Sequence, residues 1–148
     1  SEILKLNNKL VKQLIFLGIA VLVFANLQNS PILGSPNMQL QRAKEVAEKI
    51  AQESGEKEFN LGVIAERNYE DGYQYFLLKN GLRVVEIDAQ KPETITGQLF
   101  IVCEMAKEKC DPTHSPKAEV ANFGWSKIDN EWEVFGVTVF KLTHSIQK

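Results

Sequence analysis

The stretch that decides the fold is FNLGVIAERNYEDGYQYFLLKNGLRVVEI, Phe59 to Ile87. Phe59 to Ala65 is a short apolar run rich in branched side chains, the composition of a buried strand. Asn68 predicts a helix N-cap, and Glu70 and Asp71 then fall in the first turn, where carboxylates favour the positive end of the helix dipole. Tyr69, Tyr73, Phe76 and Leu77 recur as a buried stripe, and Gly81 ends the helix. LRVVEI, Leu82 to Ile87, predicts a second strand and QLFIVCE, Gln98 to Glu104, a third. Strand, helix and strand in this order predict a right-handed parallel unit.

Upstream, NMQLQRAKEVAEKIAQESG places Leu40, Ala43, Val46, Ala47, Ile50 and Ala51 on one helical face, with charges on the other. Ser35-Pro36 predicts its N-terminus and Gly55 its end. Downstream, AEVANFGWSKIDNEWEVFGVTVFKLTH predicts two β-prone runs joined by a turn at Asp129-Asn130, an antiparallel hairpin on the sheet's edge. The fold class expected is α/β: a small sheet with a parallel βαβ core and a C-terminal antiparallel hairpin, in a two- or three-layer sandwich, preceded by one hydrophobic membrane helix.

That helix is read from LIFLGIAVLVFA, Leu14 to Ala25, twelve apolar or small residues without a break. From Leu10 to Leu27 the apolar run is interrupted only by Lys12, Gln13 and Asn26. Such a run is long enough to span a bilayer if Lys12 snorkels, and it lacks the polar face of a surface helix. A signal peptide is the rival reading, with VFA as its cleavage site. Lys5, Lys9 and Lys12 precede the segment, and no Lys or Arg follows until Arg42. The positive-inside rule places the N-terminal flank in the cytoplasm and the remainder outside. The organisation expected is a transmembrane helix with its basic flank over residues 1–30 and an extracytoplasmic α/β domain over residues 31–148, opened by the Pro/Gly/Ser connector NSPILGSP.

The chain of 148 residues is 44% apolar and 24% charged, which suits a globular domain with a real core. A net charge of -2, without a basic run interleaved with aromatics, argues against a nucleic-acid partner. The first residue is Ser1, so the expectation is a processed start or a piece of a longer protein.

No catalytic constellation is visible, and no catalytic residue, metal ligand or cofactor site is assigned. Ligands of open α/β sheets bind past the carboxyl ends of the strands, here at AERNYEDG, which lacks the glycines of a dinucleotide fingerprint. Arg67, Asn68 and Tyr69 are the candidate ligand contacts there, against the plainer reading of a surface arginine beside a cap. Trp125 and Trp132, with Phe123 and Phe135, could form a sugar-stacking platform, although hairpin aromatics more often pack across strands. Asp129, Glu131 and Glu133 form no evident catalytic pair, and His144 has no evident partner.

The two cysteines, Cys103 and Cys110, lie in FIVCEMAKEKCDPTHSP with His114 close behind. Cys103, Cys110 and His114 supply three ligands where zinc needs four, and a redox pair more typically has two residues between its cysteines. A disulfide suits an even cysteine count outside the cytoplasm, and would tie the loop EMAKEK to the sheet with a stabilisation of about 2 kcal/mol.

Segment order and phrasing carry a resemblance: a membrane helix, then SPNMQLQRAKEVAEKIAQES, FNLGVIAERNYEDGYQYFL, TITGQLFIVCE, CDPTHSPKAEVANFGW and EWEVFGVTVFKLTH. Together they resemble the C-terminal end of multi-spanning bacterial glycosyltransferases of the protein mannosyltransferase and lipid A aminoarabinose transferase type. The likeness runs from the membrane helix to His144. It implies a parent enzyme that moves a sugar from a polyprenyl-phosphate carrier to an acceptor on the outer face of the membrane. The family's catalytic acids lie in the first extracytoplasmic loop, to which no position here corresponds. The resemblance therefore implies a non-catalytic domain without cofactor that covers the active-site mouth, helps bind the acceptor, or stabilises the membrane part. Its partners would be the membrane, the rest of the parent protein and a glycan or lipid-linked sugar. The alternatives from other classes are a stand-alone, membrane-anchored envelope module and a soluble α/β enzyme whose first helix is a core helix.

Overall fold

The computed structural model describes residues 2–28 (side chains from residue 9), 30, 38–66 and 70–145. The chain divides into two compact units, Ser1–Asn37 and Met38–Lys148. The first holds α1, Glu2–Gln28. Its portion Lys9–Gln28 has a mean hydropathy of 2.1 over 20 residues, none of it buried. At 1.5 Å per residue this portion reaches about 30 Å, the thickness of a bilayer's hydrocarbon core. Asn26 satisfies its amide on the Leu22 carbonyl at 2.8 Å, one turn back, which hides a polar group that an apolar environment would penalise.

The second unit begins with α2, Gln39–Ser54. Ser35 and Pro36, expected to start it, lie outside the described residues. Its buried stripe is Ala43, Val46, Ala47, Ile50 and Ser54, and Gly55 closes it in the left-handed conformation (φ 63°) that glycine adopts without penalty. Leu40, expected on that stripe, is 74% exposed, because the helix runs a turn beyond what it covers.

β1 (Asn60–Ile64) leads into α3 (Asp71–Lys79), then β2 (Gln98–Cys103), α4 (Ala118–Phe123), β3 (Ser126–Val134) and β4 (Val137–His144). The strands form one sheet in the order β1-β2-β4-β3. β1 and β2 are parallel, from Asn60↔Leu99 to Ile64↔Cys103, and the other pairs are antiparallel. The parallel βαβ core and C-terminal hairpin expected from the sequence are therefore present.

Two expected details differ. LRVVEI forms no strand: it makes one parallel bridge, Phe59↔Val84, with Phe59 N donating to Arg83 O and Val85 N to Phe59 O. The reason lies in Asn60, wholly buried, whose amide donates to the carbonyls of Val85 (2.7 Å) and Thr94 (2.9 Å). Its oxygen accepts from Thr96 N and Thr96 Oγ1, at 2.8 and 2.9 Å. One side chain thus anchors residues 85–96 as a strap across the start of β1, and the crossover passes straight to β2.

The hairpin turn is at Phe135-Gly136 rather than Asp129-Asn130. Both turn residues have positive φ (48° and 76°), and Val134 pairs directly with Val137. That is the two-residue turn whose twist matches a hairpin. Asp129 instead sits in an irregularity of β3 between Ile128 and Asn130.

Alternation along β2 makes two cores. Phe100 and Val102 face α2 and α3, packing with Val46, Ile50, Phe59, Tyr73 and Leu77. Leu99, Ile101 and Cys103 face the opposite way, against Val120 and Phe123 of α4. The sheet is covered on both sides, which explains why both its central strands, β2 and β4, read as nearly continuous apolar runs.

Candidate functional site: the crevice past the parallel strands

Because Ile64 pairs with Cys103, β1 and β2 end side by side. Glu104 N donates to Ile64 O at 3.0 Å, carrying the ladder one step further before the two chains part. Between them opens a crevice of about 570 Å³. Its walls are Ala65 and Glu66 after β1, Glu104 and Met105 after β2, Gln39 from the start of α2, and Lys109. This is the end of a parallel pair at which α/β sheets receive ligands. Arg67, Asn68 and Tyr69, the contacts expected there, lie outside the described residues; Glu66 before them lines the crevice.

Glu104 in turn is held by Tyr73 of α3, whose hydroxyl donates to its Oε1. Burial pushes the Tyr73 phenol up from its ordinary value, the Glu104 hydrogen bond and charge add to this, and Arg42 opposes it. Tyr73 is therefore a neutral donor that orients Glu104. The crevice offers carboxylate acceptors on two walls, an ammonium donor at Lys109 and an amide at Gln39. Such a set can hydrogen-bond a polar ligand, and among the described lining residues no nucleophile lies beside a base. Among the described residues no cluster of His, Cys, Asp and Glu could hold a metal ion.

Cys103 and Cys110 form a disulfide with a Cα–Cα distance of 6.2 Å, closing the loop that carries Glu104, Met105 and Lys109. Cys103 is buried in the sheet's second core and Cys110 packs against the same core. Both sulfurs are thus committed to each other rather than to a metal, and the bond suits an oxidising compartment. Lys107 of the same loop pairs with Glu131 of β3, whose hydrogen bond and charge raise the lysine's pKa.

The loop continues into a turn organised by Asp111. Its Oδ1 accepts from the backbone amides of Thr113 (3.2 Å) and His114 (3.0 Å), and from the Thr113 hydroxyl at 3.1 Å. His114 Nδ1 lies 3.2 Å from the same oxygen. Desolvation pushes the Asp111 carboxyl up, but these bonds outweigh it and hold the group below its ordinary value. His114 is therefore part of a turn, not a ligand beside the cysteines.

The expected four-aromatic platform is not assembled. Trp132 packs against the core under α2, with Lys49 Nζ 4.8 Å from its ring centroid. Phe123 is buried and stacks on His144, ring centroids 4.2 Å apart. His144, without an evident partner in the sequence, also bonds the Thr96 carbonyl through Nε2 at 3.0 Å. Phe135 forms the hairpin turn, and Trp125 alone stands 71% exposed, lining a separate groove. Asp129 and Glu133 are exposed on the outer strand, where charges discourage edge pairing.

The crevice lies at the end of the sheet where AERNYEDG falls, and of its lining the sequence did not single out Glu104 and Lys109. The signal for Glu104 was position alone: a polar residue immediately past an apolar run. The turn DPTHS was also missed, although Asp followed by Thr at i+2 is an Asx-turn signature. The chain matches no protein-family model, and neither curated proteins nor solved structures show a significant similarity to it.

Proposed function

We propose that this chain is a membrane-anchored extracytoplasmic module, with the basic flank before the apolar segment Leu14–Ala25 in the cytoplasm and the α/β unit outside. The observation that carries the reading is a conjunction: an exposed apolar helix of spanning length and a disulfide in the unit that follows it. The lysine bias before the apolar segment Leu14–Ala25 supports the orientation, and a thiol-reducing cytosol would not maintain the bond.

The resemblance in segment order makes the parent a membrane glycosyltransferase that takes its sugar from a polyprenyl-phosphate donor. Within it the α/β unit is non-catalytic, and its crevice contacts the acceptor or covers the site where transfer occurs.

Two measurements test this. Protease added to spheroplasts should digest the α/β unit while leaving a cytoplasmic control intact; protection would reverse the orientation. Membranes carrying the full product of the gene should transfer labelled sugar from a polyprenyl-phosphate donor to an outer-face acceptor. With Glu66→Gln and Glu104→Gln in the crevice, transfer should weaken through the acceptor's apparent affinity. No transfer by the unaltered full product with any donor of this class would remove the glycosyltransferase reading and leave an anchored binding module.

A further inference from the structure

A second concavity lies away from the crevice, where the chain leaves α4 for β3. Gly124 ends α4 with φ 82° and ψ -157°, a conformation essentially restricted to glycine. The next residue, Trp125, is held by its carbonyl, which accepts from Ser145 N at 3.1 Å. Its side chain nevertheless remains 71% exposed. A large aromatic in a restrained backbone and open to solvent forgoes the burial that would normally stabilise it. It lines a groove of about 380 Å³, at the small end of the range for small-molecule sites.

The remaining polar lining is Thr113, His114 and Ser115, with Ser126 next to the tryptophan in sequence. None of these is a carboxylate or an ammonium. Asp111, which organises the turn, is directed to the amides of Thr113 and His114. The turn follows directly from Cys110, so the disulfide fixes one end of it to the sheet. Ser115 Oγ accepts from Lys117 N at 3.4 Å and retains its own hydrogen to donate. His114 Nδ1 is occupied with Asp111 and Thr113, which orients the ring.

An exposed indole beside hydroxyl and imidazole groups, on a turn already ordered, matches one ligand chemistry. A pyranose has an apolar face of C–H groups and a rim of hydroxyls that both donate and accept. We propose that the groove between the Asp111–Ser115 turn and Trp125 binds one neutral pyranose of a glycan, stacked on the indole and hydrogen-bonded through its hydroxyls to Ser115 and His114. Among the described lining residues there is no Arg or Lys, the groups that phosphates and sugar acids would call for. An exposed tryptophan can also anchor a protein at a bilayer surface. That role suits a protruding side chain with apolar neighbours better than a concave site with hydroxyl groups. The inference does not rest on the identity of the parent protein.

The test uses the full chain in a non-glycosidic detergent, applied to an array carrying neutral hexoses, N-acetylhexosamines, deoxyhexoses and uronic acids. Neutral glycans should bind, and saturation-transfer NMR with the best of them should show contact through its ring C–H groups. Trp125→Ala should weaken binding by about tenfold or more, while Trp125→Phe should stay within about threefold of the native chain. At this exposed position neither change threatens folding. Binding to none of the neutral glycans, binding confined to the uronic acids, or equal binding by Trp125→Ala would each overturn the proposal. So would bilayer insertion: in a Trp132→Phe chain reconstituted with brominated lipid, strong quenching of Trp125 would assign it to the membrane surface instead. Weak quenching with glycan binding supports the site.

Discussion

The hydroxyl of Tyr73 donates a hydrogen bond to Oε1 of Glu104, tying the first turn of α3 to the first residue after β2. The bond couples the packing of a helix to the direction of a carboxylate that lines the crevice. Tyr73→Phe keeps the buried ring and removes only the donor. It should lower stability by about 1–2 kcal/mol in urea denaturation and loosen Glu104. The pH dependence follows from the raised phenol. Its contribution is fully present below the ordinary tyrosine value of 10.0 and is lost as pH rises through the higher folded value. The native chain should therefore lose stability progressively above pH 10, and the Phe variant should show less of that loss.

Asn60 makes four hydrogen bonds from a wholly buried position, holding the strap before β2. Asn60→Ala takes this partner from the Val85 and Thr94 carbonyls and the Thr96 amide, while the Thr96 hydroxyl keeps the Gln98 carbonyl. A loss of about 3 kcal/mol is expected, with hydrogen exchange accelerating first at residues 85–96. Uniform exchange across the unit would contradict this account of the strap.

A β-carbon at Gly62 would lie 2.9 Å from Ile101 Cδ1 and 3.0 Å from Glu119 Cβ. The glycine thus permits α4 to lie against β1. Gly62→Ala should destabilise by about 1–3 kcal/mol, because Glu119 Cβ is fixed to the helix backbone and cannot swing away. By contrast, Gly72→Ala meets no atom within 4 Å and should be tolerated.

The disulfide closes a short loop, so replacing both Cys103 and Cys110 with Ala should cost about 2 kcal/mol in thermal or urea unfolding, plus the cavity left at the buried Cys103 side chain. Thiol titration of denatured protein should find no free thiol without reductant and two after reduction. Two thiols without reductant would remove both the bond and the argument for an oxidising compartment.

Asp111 has its pKa depressed below the ordinary 3.8 by bonds from His114 and Thr113. A depressed carboxylate contributes stability that is present above its unfolded value and lost as pH falls through the folded one. The turn should therefore stay ordered across neutral and mildly acidic pH and loosen only below about pH 4. The amide signals of Thr113 and His114 followed by NMR would report this. Asp111→Ala should shift the same signals at every pH.

Local chemistry was legible without the structure wherever one residue or one short run is sufficient. Twelve unbroken apolar residues specify a helix of spanning composition regardless of their surroundings. Gly55 stops α2 because a left-handed residue is required there, and Phe59 to Ala65 and Gln98 to Glu104 read as buried strands through their density of branched side chains. Tertiary structure decided what depends on partners distant in sequence. LRVVEI has the composition of a strand, yet Asn60 bonds the Val85 carbonyl and draws that segment away from the sheet. Asp129-Asn130 has turn chemistry, yet pairing of β3 with β4 carries the strand through it, because Phe135-Gly136 can adopt the positive φ angles that a two-residue hairpin needs. Trp125 and Trp132 are seven residues apart and equivalent by composition. Only the folded chain separates them, placing Trp132 under α2 and leaving Trp125 beside the Asp111 turn, since burial is settled by which surfaces meet and not by the residue that meets them.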